Sequence, residues 1–272
     1  MSEFASQYQA KIPDANGLIA YTDEENQVWN VLYTRQMHQI KGRACAEFLA
    51  GLSALDLTGE AIPQLPRVSQ PMRAATGWSV EPVDALISAT AFFELLATQR
   101  FPAATFIRRR DSLDYVTEPD IFHELFGHCP LLVEPDFAAF VHAYAAKVLT
   151  MDQADWPLLQ RFFWFTVEFG LINSKDGLRA YGGGILSSPN ETVYSVESSV
   201  PVRKPFDPLT ILRTPYRIDR LQTVYFVIEH YRDLFAVLDQ DLATLIARAR
   251  ELGEFAPTFP VDDSPNVHIH CC

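Results

Sequence analysis

Pro119-Asp120-Ile121-Phe122-His123-Glu124-Leu125-Phe126-Gly127-His128-Cys129-Pro130 carries two histidines five residues apart in a run that otherwise reads as buried helix. On an α-helix, side chains four apart lie about 40° from one another around the axis, and side chains five apart roughly 140°. One straight helix therefore cannot aim both imidazoles at a single ion. Gly127, followed by Pro130, allows the helix to end or bend near the glycine and swing His128 round toward His123. A shared metal site here is expected at a helix terminus.

A metal needs more than two imidazoles. The next acidic residue in an unusual setting is Glu168, inside Phe162-Phe163-Trp164-Phe165-Thr166-Val167-Glu168-Phe169-Gly170. Burying an unpartnered charge in so apolar a segment costs on the order of several kcal/mol, so the carboxylate wants a cation. Two neutral imidazoles and one carboxylate, with other positions open, is the arrangement of non-haem Fe(II) oxygenases, and the aromatic surroundings suit dioxygen and an aromatic substrate. The residues alone leave plainer readings open: hydrogen-bonded core histidines and a half-exposed glutamate.

Outward from this centre the chain reads as mainly helical, α+β by strict count. Thr22 to Leu52 places apolar residues at three- and four-residue steps behind a Thr22-Asp23-Glu24-Glu25 capping signal, one or two amphipathic helices. Pro63, Pro66 and Pro71 argue against a long helix over Ile62 to Pro71. Further helices are expected over Ser88 to Gln99, around Glu118 to Gly127, and over Asp136 to Leu149, Trp156 to Ile172, Thr223 to Asp239 and Leu242 to Leu252. Short strands are expected at Thr105 to Arg108, Thr192 to Val196 and Thr214 to Ile218. No linker or repeat divides the chain, so residues 1–272 are read as one catalytic domain. Its core covers about 22–252, with loosely ordered tails at 1–20 and 256–272.

Composition narrows the class of partner. With 22 Lys+Arg against 34 Asp+Glu the net charge is -12, which argues against a grip on a nucleic-acid backbone. The absence of a long apolar run or a basic-then-apolar N-terminus argues against a membrane partner and against export. Cys45, Cys129, Cys271 and Cys272 show no disulfide-framework spacing, so a reducing cytoplasm is expected and the Asn190-Glu191-Thr192 sequon reads as accidental. The terminal His268-Ile269-His270-Cys271-Cys272 could attract Zn or Cu but has no core to fix it.

The same residues resemble the pterin-dependent aromatic amino acid hydroxylases. In that family a PEPDxxHELxGHxPL segment precedes a WFTVEFGL segment whose glutamate lies forty residues after the second histidine. Here Glu118-Pro119-Asp120 leads to His123 and His128, and Glu168 lies forty residues beyond His128. Tyr181-Gly182-Gly183-Gly184-Ile185-Leu186-Ser187-Ser188 is similar to the family's YGAGLLSS segment, and Ala75-Thr76-Gly77-Trp78, Pro82-Val83 and Phe92-Phe93 to its TGF, PV and pterin-loop segments. The likeness runs roughly from Glu25 to Phe235 and is greatest to bacterial members acting on phenylalanine, which consist of the catalytic core alone. The length is expected to leave no room for the regulatory domain or assembly helix of animal members.

The resemblance implies phenylalanine 4-monooxygenase activity: L-phenylalanine, dioxygen and tetrahydrobiopterin or another tetrahydropterin give L-tyrosine at Fe(II). It implies His123, His128 and Glu168 as iron ligands and catalytic centre, with Asp120 and Ser187 as outer partners of His123. Arg108 would hold the substrate carboxylate, and Trp164, Gly184 and Ser187 would line the amino acid pocket. Phe92 would stack on the pterin, Leu86 and Ile87 would meet its ring edge, and Glu124 would face it. Val116 and Pro102 replace a threonine and a histidine of animal members, and Phe163 stands where many members have tyrosine. Small-molecule partners and a monomer or small homo-oligomer are expected. A tryptophan or tyrosine hydroxylase, a zinc hydrolase with Glu124 as base, and a catalytically dead binding protein are the rivals.

Overall fold

A computed structural model describes residues 8–84, 86–114 and 118–259. Helix α1 (Asp23–Gln39) starts at the expected capping box, where Thr22 accepts from the Glu25 N–H and Glu25 reaches back to the Thr22 N–H at 2.7 Å. After a turn the chain enters α2 (Ala46–Ala54), so the first amphipathic stretch is two helices. The three prolines downstream do not prevent α3 (Leu65–Thr76). Pro66 sits in the first turn, where no N–H is required; Pro71, further in, forgoes one backbone bond, which burial of Leu65, Val68 and Met72 offsets.

Strands β1 (Ser79–Val83) and β2 (Arg100–Ala104) pair in parallel around α4 (Ala89–Leu96). The strand expected at Thr105 to Arg108 is instead an extended run just past β2 whose polar groups find irregular partners. Tyr21 Oη donates to the Thr105 carbonyl, and Ile121 N–H to that of Phe106. The N-terminal stretch is correspondingly tied down from residue 8 onward: Tyr8 stacks on Phe106 at 4.3 Å and the Lys11 N–H donates to Thr105 Oγ1.

Two expected helices lie downstream, α5 (Pro135–Val148) and α6 (Trp156–Phe163), but the second does not run on to Ile172 as expected: after a π turn the chain enters a strand at Gly170. The second sheet has the order β4-β3-β6-β5. It consists of a hairpin of β3 (Gly170–Ser174) and β4 (Gly177–Ala180), with β6 (Val224–Ile228) parallel to β3 and β5 (Val202–Pro205) parallel to β6. Three expectations fail here. Val224-Tyr225-Phe226-Val227-Ile228 is a buried strand followed by a 3₁₀ turn (Tyr231–Val237), not a helix. A short apolar run does not distinguish the two by periodicity. Thr192 to Val196 lies within α8 (Pro189–Glu197), started by Pro189 and the Ser188 hydroxyl, which accepts the Glu191 N–H. Thr214 to Ile218 has no regular structure. The short helix α7 (Gly183–Leu186) precedes α8, α9 (Pro208–Arg213) follows β5, and α10 (Leu242–Leu252) closes the helical set as read.

Buried aromatic rings decide how the central segment is turned. Phe122 and Phe126 stack at 4.9 Å and meet Trp29, Tyr33 and Phe48 from α1 and α2. With that face spent on the core, His123 and His128 are directed to the other side, toward α7.

Candidate active site

His123–His128 and Trp164–Glu168 are both wound as π-helical turns, with the Cys129 N–H donating to the Glu124 carbonyl and the Phe169 N–H to the Trp164 carbonyl. In an i→i+5 winding, residues five apart sit about one turn above each other. That brings His123 and His128 to one face without ending the helix, which corrects the expected break at Gly127. The glycine serves a different purpose. A Cβ on Gly127 would lie 2.6 Å from the Gly183 carbonyl oxygen, so its absence lets α7 approach. Gly183 in turn would place a Cβ 2.4 Å from the His128 ring.

His128 Nε2 lies 3.0 Å from His123 Nε2 and 3.1 Å from Glu168 Oε1, and His123 Nε2 lies 3.8 Å from Glu168 Oε2. Three donors each about 2.2 Å from one ion at right angles would stand about 3.1 Å apart. Among the described residues the group stops at these three. The donor chemistry also fits a cation. Ser187 Oγ is placed to donate to the Gly184 carbonyl (3.5 Å) and to accept from His123 Nδ1 (2.9 Å), which leaves the His123 Nε2 lone pair free. Burial, with charge on His128, pushes His123 down to about 4, so its imidazole is neutral near pH 7. Burial works to raise the Glu168 carboxyl, but charge and hydrogen bonding from His128, aided by His123 and the Gly184 N–H, hold it below the usual carboxylate range.

The family model for biopterin-dependent aromatic amino acid hydroxylases matches residues 1–253. The chain belongs to that family. Its sequence is 52% identical over 255 residues to a Pseudomonas aeruginosa phenylalanine-4-hydroxylase, covering 94% of this chain and 97% of that one. The structure of phenylalanine hydroxylase from Legionella pneumophila superposes with a TM-score of 0.91 at 61% identity, covering 92% of this chain and all of that one. That of the Chromobacterium violaceum enzyme with bound oxidised Fe(III) superposes at 0.86 and 40% identity, covering 93% and 92%.

Around the triad of this hydroxylase, the residues singled out from the sequence take distinct places. Arg108, 5% exposed, turns Nε and Nη2 onto both oxygens of Asp120 at 2.8 Å, while its backbone N–H donates to the same carboxylate. Asp120 then accepts the backbone N–H of His123 at 3.1 Å, so it caps the turn, whereas the ring contact belongs to Ser187. Burial opposes ionisation of Asp120, but the charge and hydrogen bonds of Arg108 and the His123 N–H keep it ionised. Among the described residues Arg108 Nη1 has no hydrogen-bond partner, leaving an outer guanidinium edge for a carboxylate.

Trp164 is buried beside Phe169 and Tyr216, and Gly184 admits the Phe169 ring and Glu168 so closely that a Cβ would lie 2.9 to 3.0 Å from them. Glu124 is buried rather than on an exposed helix face. Burial, then the charges of Glu168 and Asp120, hold its carboxyl well above the usual range. Leu86 and Ile87 are half-buried just before the Ser88 cap of α4. Phe92 is only 2% exposed and packs T-shaped on Phe93 and Phe163 at 5.5 and 5.4 Å, so a flat ligand reaches its face only if that wall shifts. Val116 and the His268 to Cys272 tail lie outside the described residues.

Several contributors escaped the sequence reading. Gly183 against His128, Phe101 tilted over the His128 ring at 5.0 Å, and Gln222 on the Trp164 indole are brought in by tertiary packing. Only the Gly182-Gly183-Gly184 run offered a signal, that of a backbone closely approached by something else.

Proposed function

We propose that the chain is a phenylalanine 4-monooxygenase, converting L-phenylalanine to L-tyrosine with dioxygen and a tetrahydropterin at Fe(II) held by His123, His128 and Glu168. The observation that carries this reading is the convergence of two imidazoles and one carboxylate, 3.0 to 3.8 Å apart, with the Phe101 ring tilted over His128. Tetrahydrobiopterin or another tetrahydropterin, with the iron, supplies the electrons that activate dioxygen.

The chain's own residues bind and orient. Ligation would take His123 and His128 as neutral imidazoles and Glu168 as a carboxylate, so a divalent ion would keep one net positive charge, with its remaining positions left to small molecules. Arg108, held flat by Asp120, offers its outer edge to the substrate carboxylate, while Trp164, Gly184 and Ser187 border the space for the aromatic ring. The buried Glu124 carboxyl, held well above its usual range by burial and by the charges of Glu168 and Asp120, would face the pterin, with Leu86 and Ile87 bordering the ring edge and Phe92 its face once the Phe163 wall shifts. The aromatic walls exclude water from the reacting atoms.

The enzyme is proposed to be a single cytoplasmic catalytic domain over residues 1–272, a monomer or small homo-oligomer without a nucleic-acid partner. A net charge of -12 supports the last point, and among the described residues no helix is long and apolar enough to cross a membrane. The deciding assay supplies Fe(II), a tetrahydropterin and, separately, phenylalanine, tyrosine and tryptophan, with products resolved by chromatography. Tyrosine formed from phenylalanine is expected; no hydroxylated product from any of the three would refute the proposal.

A further inference from the structure

Trp164 opens the π turn that ends on Glu168, and its indole is held from three directions. Phe169 lies tilted against it at 4.3 Å, Tyr216 stacks at 5.0 Å with 27° between planes, and the Nε1–H donates to Gln222 Oε1 at 3.1 Å. Gln222 has no freedom to flip. Its Nε2 donates to the carbonyls of Arg217 (2.6 Å) and Arg220 (3.1 Å), which forces Oε1 toward the indole. Its backbone N–H donates to Glu191 Oε1 at 3.0 Å, and the same oxygen accepts the hydroxyl of Tyr225 on β6. Gln222 and Glu191 are both buried. Their hydrogen bonds include none to His123, His128 or Glu168, so the network reaches the site through the indole.

We infer that Gln222, anchored by Glu191, is a positioning residue that sets the plane of the Trp164 indole and thereby how tightly the aromatic side chain of the amino acid substrate is held. The inference rests on the proposed function for the identity of that substrate. An indole has a broad torsional choice about its outer bond, and a single buried acceptor for Nε1–H selects one orientation, because leaving that donor unpaired is costly. Aromatic pairs are sensitive to tilt and offset, so a turned indole presents a poorer wall to a bound ring.

The test uses full-length protein labelled with fluorotryptophan. The chain has 4 tryptophans, giving four fluorine resonances, of which the Trp164→Phe variant identifies one. Gln222→Leu is expected to move that resonance alone and to raise the KM for phenylalanine about 5- to 20-fold, with kcat within about twofold and iron content unchanged. In a Trp164→Phe background the same substitution is expected to change KM less than about twofold, since the two residues act as a unit. Glu191→Gln keeps the accepting oxygen and should retain the parent resonance and KM, whereas Glu191→Leu should reproduce Gln222→Leu. If Gln222→Leu does not fold, the two Glu191 variants carry the comparison. A Trp164 resonance that stays put when the acceptor is removed, or an equal KM penalty with and without Trp164, overturns the inference. A parent protein that hydroxylates no aromatic amino acid overturns the functional reading instead, and the fluorine measurement, needing no turnover, still decides the positioning.

Discussion

At the scale of single residues, the site depends on atoms that are missing as much as on those present. Gly183→Ala would drive a methyl group to 2.4 Å from the His128 ring. Iron affinity is expected to fall about 10- to 100-fold, as for loss of an outer-shell partner, measured by metal analysis after competition with a chelator. Arg108 does two jobs, and its removal should show both. Arg108→Ala leaves Asp120 buried and unpaired, so a loss of about 3 to 5 kcal/mol in urea denaturation should accompany the rise in substrate KM. A rise in KM with unchanged stability would mean that Asp120 is not held by this pair. Glu191 offers a pH test. Burial, opposed by hydrogen bonds from Tyr225 and Gln222, pushes its carboxyl from the usual 4.5 up to about 7. Between those values the folded chain holds a proton the unfolded chain has lost, so this group's contribution to stability falls as pH rises from 4.5 to 7 and is level above. Relative to Glu191→Gln, the parent should lose up to about 3 kcal/mol across that window, read from denaturation midpoints at a series of pH values.

At the scale of elements, the two π turns decide what the site is. Thr166 Oγ1 donates to the Phe162 carbonyl at 2.7 Å, where ordinary helix gives way to the wider winding. Thr166→Val should cost about 1 kcal/mol in denaturation and weaken iron binding through Glu168; loss of stability with unchanged iron affinity would separate the hydroxyl from the site. The histidine spacing was legible and pointed to a metal, but the i→i+5 winding that reconciles it with a helix was not, because π turns have no composition of their own. Helix α10 was legible to the residue and α1 at its capped start, whereas the break between α1 and α2 was left open. The strand β6 and helix α8 were exchanged in type. Val224 to Ile228 is apolar throughout, so periodicity is silent, while Thr192 to Val196 has strand-forming residues overruled by the Ser188-Pro189 start and by Gln36 Nε2, which bonds Thr192 Oγ1 at 2.7 Å.

At the scale of the whole molecule, the ligands come from two segments forty residues apart that meet only once α7 packs between them. Binding energy for the ion is therefore folding energy. With free Fe(II) at about a hundredfold over its Kd, stabilisation should be about 2.7 kcal/mol, a rise in Tm of roughly 5 to 10 °C that a chelator reverses. Scanning calorimetry showing identical Tm values with and without metal would mean the three donors do not share an ion. The family resemblance was legible from roughly Glu25 to Phe235, whereas the contacts that steer Trp164 needed coordinates, since Gln222 and Glu191 stand in segments with no motif of their own.

A π turn is an ordinary helix that has taken in one surplus residue. Shortening the His123–His128 turn by one would restore the common winding, relieve the wider hydrogen-bond ring and swing one imidazole off its target. The shortest mutational path away from chemistry in this scaffold thus runs toward greater repose, and a descendant that took it would be sturdy, well folded and inert.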